Sequence, residues 1–148
     1  MYMRKVFITT ALFISASFCF AQKDSTSFNG YFYNDEYNIY LNINLYDNNI
    51  VVPDHEVFGK LPGYLGKRYN SFYWLITSGR IINKQKAEIE LINDYGSEDL
   101  KATFNKKNDS TYILHQEDGS TLKVANKGKW QKLPKILEFK KKNNISVR

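Results

Sequence analysis

The sequence predicts an all-β protein: one antiparallel meander of eight or nine strands that closes into a small barrel, with a β-sandwich as the alternative. Three observations carry this. Apolar residues alternate with polar ones at a period of two in most segments. Beta-branched and aromatic residues dominate those runs, as strands prefer. Turn signals recur every 8 to 12 residues, a spacing typical of sandwiches and barrels. No window carries a sustained helical stripe.

The elements follow in order. "FNGYFYN" near Gly30 is aromatic on both faces. In "NIYLNINLY", Ile39, Leu41, Ile43 and Leu45 alternate with Tyr40, Asn42, Asn44 and Tyr46, which gives one apolar and one polar, tyrosine-bearing face. "SFYWLIT" is again aromatic on both sides and places Trp74 in the core. "KAEIELIN" directs Ala87, Ile89 and Leu91 inward, and "LKATFN" does the same with Leu100, Ala102 and Phe104. "STYILHQ" offers Tyr112 and Leu114, which leaves His115 outward, and "STLKVAN" offers Leu122 and Val124. The segment from Pro134 to Lys142 is the best helical candidate, although its "KILEFK" also fits a strand. The connectors expected between these runs are "YNDEYN", "YDNN", "TSGR", "NDYGSED", "NKKND" and "QEDGS", and short connectors mean hairpins. A meander of this kind has two edges to protect, and closure removes both.

One connector stands apart. Gly59 to Ser71, "GKLPGYLGKRYNS", holds three glycines, a proline, two tyrosines and three basic residues. It is expected to be a long loop, and loops of that length are usually functional.

The N-terminus has the layout of a cleavable secretory signal: Arg4 and Lys5, an apolar run from Val6 to Phe20, and a small Ala21. Residues 1–21 are therefore expected to leave, and residues 22–148 to form a single barrel domain that is secreted or periplasmic, with no transmembrane span. A retained anchor would need about 20 apolar residues. A lipid on Cys19 is the other alternative, against which stands the bulky Phe18. Cys19 is the only cysteine, so the exported domain has no disulfide and no thiol chemistry.

Charge is unevenly placed. From Lys123 to Arg148 there are nine basic residues and one acid, Glu138, whereas the preceding body is slightly acidic. A basic stretch recruits polyanions or merely solvates an edge.

The acidic segments "NDYGSEDLKA" and "QEDGSTLKVA" invite a metal-binding reading. A calcium loop needs six to eight oxygens, and Asp94, Glu98 and Asp99 are not spaced to supply them. Gly96 and Gly119 instead sit where a hairpin needs positive φ, so both segments are expected to be turns. Adjacent Glu98 and Asp99 point to opposite faces of a strand and cannot flank one glycosidic bond. Two distant histidines, His55 and His115, without cysteine do not make a zinc site. No nucleophile elbow, phosphate loop or dinucleotide fingerprint is present. No metal, cofactor, enzymatic activity or specific nucleic-acid binding is expected. Asn108 and Asn144 lie in glycosylation sequons short enough to arise by chance.

The Gly30-Tyr31-Phe32 start, the chain length and the strand count resemble the lipocalin-like barrels, which open with glycine, any residue, tryptophan; here Phe32 stands in place of the tryptophan. The resemblance covers three residues and a general outline. It implies a small apolar ligand held at an open barrel mouth.

The function expected is that of a secreted, non-enzymatic binding protein. Its candidate ligand-binding residues are Tyr64, Lys67, Arg68 and Tyr69 in the long connector, and Lys127, Lys129, Trp130 and Lys132 in the basic stretch. At one open barrel end these would form an aromatic floor with a cationic rim, suited to a small or anionic saccharide. The alternative is a protein–protein interaction or inhibitor module of a cell-surface or periplasmic complex.

Overall fold

The computed structural model describes residues 26–142. The signal-peptide region, including Cys19, and Asn144 lie outside the described residues.

The strands are β1 (Asn29–Asn34), β2 (Ile39–Asn44), β3 (Ile50–Val51), β4 (Lys60–Leu61), β5 (Gly63–Lys67), β6 (Tyr73–Asn83), β7 (Lys86–Asn93), β8 (Asp99–Lys106), β9 (Thr111–Gly119), β10 (Lys123–Asn126), β11 (Lys129–Lys132) and β12 (Ile136–Lys142). One turn of 3-10 helix covers Glu56–Phe58. Eight strands close an antiparallel barrel in the order β1-β2-β5-β6-β7-β8-β9-β12, with β12 returning to β1. This is an up-and-down meander with two hairpins inserted, β3–β4 and β10–β11. The sandwich alternative is excluded by closure. The "KILEFK" segment is a strand, because Leu137 and Phe139 alternate inward while paired to Leu114 and Tyr112.

The alternation predicted from sequence sets the register. Ile39, Leu41, Ile43, Leu45, Ala87, Ile89, Leu91, Leu100, Ala102 and Phe104 all lie in one buried core, as does Trp74. The interior is filled. Phe32 packs edge-on against Tyr112 at 4.6 Å and against Phe104 at 5.0 Å, and Phe104 stacks on Tyr112 at 5.1 Å. Fully buried Phe28 sits against Phe104 and Tyr112, and the Tyr112 hydroxyl donates to the Ser27 carbonyl. The hollow, open-mouthed interior implied by the lipocalin-like resemblance is therefore not found: aromatic rings occupy the space a ligand would take.

Three connectors depart from expectation, one of them "QEDGS", whose first four residues end strand β9. Gly59 to Ser71 is not a long loop. Its core is barrel strand β5, and two of its three glycines, Gly63 and Gly66, serve packing. A Cβ on Gly63 would lie 2.3 Å from the Asn42 carbonyl oxygen, and one on Gly66 would lie 2.7 Å from the Tyr40 ring. Nor is "TSGR" a turn. It lies inside β6, where the ladder to β7 shifts register between Ile76 and Ser78.

The true long excursion runs from β2 to β5 and contains β3, the 3-10 turn and β4. It covers the outer face of the barrel over a second apolar cluster of Tyr40, Val52, Tyr64, Tyr73 and Leu75. Tyr64 meets Tyr40 and Tyr73 edge-on, at 5.9 and 5.2 Å. Burial raises all three phenols above their ordinary range. Tyr40, a polar-face residue by alternation, is buried because this insert covers that face.

Candidate functional site

The turns after β1, β5 and β7, and the long connection after β9, all fall at one end of the barrel. Three devices build that end. In the turn after β7, Asn93 is buried and its side-chain oxygen accepts from the Ser97 and Glu98 amides. Its amide donates to Ser97 Oγ at 2.9 Å, and Gly96 takes φ +69°. The acidic segment is thus a turn held by asparagine, as its residues predict. The second acidic segment is not a turn: Gln116 to Gly119 end strand β9, paired to β8, and Gly119 takes φ +97° where a Cβ would lie 2.5 Å from the Asp99 carbonyl oxygen. Among the described residues no group of three or more His, Cys, Asp or Glu is placed to hold a metal ion.

The second device is the β10–β11 hairpin, which folds over the barrel end as a cap. Leu122, Val124 and Leu133 enter the core from it. Buried Gln116 fastens it at both ends, donating to the Pro134 carbonyl and accepting from the Leu122 amide, both at 2.8 Å. The Trp74 indole donates to the Lys123 carbonyl at 2.9 Å, which ties the cap to the core.

The third is a link between the outer insert and the turn after β7. His55 Nε2 lies 3.2 Å from Asp94 Oδ2, which also accepts from the Tyr73 amide. His55 Nδ1 lies 2.9 Å from the Pro53 carbonyl oxygen. Both ring nitrogens are therefore engaged. Sequence reasoning missed this pair, because the two lie 39 positions apart and nothing between them signals their meeting.

Between the cap and the turn after β7 lies a cleft of about 380 Å³, lined by Phe72, Trp74, Asn93, Tyr95, Ser97, Glu98, Lys123 and Trp130. Tyr95 and Trp130 are largely exposed, at 77% and 56%. Half-buried Phe72 stands between them, edge-on to Trp130 at 4.8 Å and tilted against Tyr95 at 5.7 Å. At the polar side Lys123 Nζ meets Glu98 Oε1 at 2.8 Å, so that charge pair is internally balanced.

Of the residues predicted from sequence, Trp130 lines this cleft. Lys127, Lys129 and Lys132 lie on the same hairpin, and no ion pair engages them among the described residues. Lys67, Arg68 and Tyr69 lie at the same barrel end but form a separate group: the Arg68 guanidinium sits over the Tyr69 ring at 5.1 Å, and hydrogen bonding to Tyr33 raises its already high pKa. Tyr64 is a correction. It is 3% exposed, sealed in the outer cluster by the insert, and is not available to a ligand. Phe72, Tyr95, Glu98 and Lys123 were not among the predicted site residues. Only the aromatic Tyr95 beside a turn glycine could have drawn notice.

Comparison of the chain with protein-family models, curated proteins and solved structures finds no match.

Proposed function

We propose that this is an exported binding protein, not an enzyme, that holds a small saccharide-type ligand in the cleft at the capped barrel end. One observation carries the reading: Tyr95 and Trp130, two of the most exposed aromatics, flank the same cleft over Phe72. Large aromatic faces left open to water are costly unless something covers them. A sugar ring presents an apolar C–H face for such a surface and a polar rim of hydroxyls. Here the rim would meet the Glu98–Lys123 pair and Asn93. Lys127, Lys129 and Lys132 favour an acidic sugar over a neutral one through long-range attraction. A filled interior supports a surface site rather than an enclosed one.

A glycan array tests this. Hits are expected among acidic oligosaccharides, weakened by added salt and lost in Trp130→Ala and Tyr95→Ala. An array without hits would reject the saccharide reading.

A second reading, a partner-protein module, draws on the distribution of exposed apolar side chains. Tyr69, Tyr95, Trp130 and Ile136 all lie at the capped end, with Val57 and Phe58 on the insert tip that His55 ties to it. A partner covering that end would bury them together.

A further inference from the structure

The His55–Asp94 contact has a donor count that fixes its proton content. The Pro53 carbonyl oxygen can only accept, so His55 Nδ1 must carry a proton to bond it. Asp94 Oδ2 accepts from the Tyr73 amide at 3.2 Å. A neutral imidazole protonated at Nδ1 would turn its Nε2 lone pair toward an ionised Asp94 oxygen at the same distance, two acceptors facing each other. The contact is a hydrogen bond only if one further proton sits between Nε2 and Oδ2. Asp94 Oδ1 is buried without a partner, so the carboxylate depends on that proton and the Tyr73 amide for its stabilisation.

We infer that His55 and Asp94 form a proton-dependent clasp, closed when the pair holds this extra proton and opened when it is lost. What the clasp holds is the insert tip. His55 stacks on Phe58 at 6.1 Å and stands edge-on to Tyr73 at 5.4 Å, and Val57, 90% exposed, rides on the same turn. The titratable groups packed against His55 are Asp94 from the turn after β7 and Tyr73 from β6 with its raised phenol, and Asp54 and Glu56 are its chain neighbours. Without the shared proton two acceptors face each other, so its loss is the event that opens the contact as pH rises. The clasp stands beside Tyr95, one wall of the cleft, yet this inference does not rest on ligand binding.

Amide exchange of the full chain tests it, read at the His55, Phe58 and Gly59 amides, which bond the carbonyls of Val52, His55 and Glu56. After division by the intrinsic rate, tip opening is expected to increase about tenfold as pH rises and the shared proton is lost, the worth of one charge-assisted hydrogen bond. Asp94→Asn should weaken the response: the one oxygen that meets both His55 Nε2 and the Tyr73 amide would still accept from both, but without the carboxylate charge that strengthens the bond to a protonated ring. His55→Phe keeps the ring contacts and should show no pH dependence. Wild-type opening that is flat across this range, or an Asp94→Asn or His55→Phe response as large as wild type, would overturn the clasp. Loss of the pH response in His55→Phe, with the ring contacts kept, separates a proton switch from a merely structural contact.

Discussion

Replacing Gly63 by alanine distinguishes a packed barrel strand from a glycine-rich loop. The added Cβ would stand 2.3 Å from the Asn42 carbonyl oxygen and 2.9 Å from Ile43 Cα. Both are backbone atoms of β2, the hydrogen-bonded neighbour of β5, so relief requires the two strands to part. Overpacking typically costs about 1 to 3 kcal/mol, and contacts to backbone belong at the upper end, so a loss of about 3 kcal/mol is expected. For a domain of this size that lowers Tm by about 10 °C. Gly96→Ala is the internal control: its Cβ would meet nothing within 4 Å, and its cost of about 1 kcal/mol comes only from φ +69°. Thermal melting by circular dichroism, paired with urea titration, measures both. If Gly63→Ala costs no more than Gly96→Ala, β5 is not packed against β2 as described.

Three other outcomes follow from the same structure. Tyr40, Tyr64 and Tyr73 are held neutral by burial, so the fold keeps protons that the unfolded chain loses near the ordinary phenol value of about 10. Stability is therefore intact below that pH and falls as pH rises beyond it, and phenolate absorbance of the three should appear only with unfolding. Gln116→Ala strands the Leu122 amide and the Pro134 carbonyl at the base of the cap; a loss of about 2 to 4 kcal/mol is expected, with Trp130 fluorescence shifting before the barrel melts. Calcium and EDTA should leave Tm unchanged, since Asn93 rather than a metal shapes the acidic turn; a rise of several degrees with calcium would refute this.

Much of the barrel was legible because a period of two is a direct image of the pleat. Along β7, Ala87, Ile89 and Leu91 alternate with more exposed residues, and nothing tertiary overrides it. Reading failed where glycine had two meanings. Gly63, Gly66 and Gly79 look like punctuation, yet each is a place where a second element comes too close for a side chain. It failed again where one face was buried by a distant segment: Tyr40 and Tyr64 alternate as outward residues, and only the β2–β5 insert makes them core. At the site, Trp130 was legible as an aromatic stranded among lysines. Its partners Phe72 and Tyr95 were not, because they come from two other turns that barrel closure brings to the same end.

The central claim is that the cleft between Tyr95 and Trp130 is where this protein meets its ligand. A titration of the isotope-labelled protein with acidic oligosaccharides, followed by two-dimensional NMR, tests it most directly. The Trp130 indole signal and the backbone signals of Tyr95, Ser97, Glu98 and Lys123 should move together and saturate, and core amides such as Leu41 should stay in place. No movement at any concentration, or movement confined to residues outside the capped end, would contradict it.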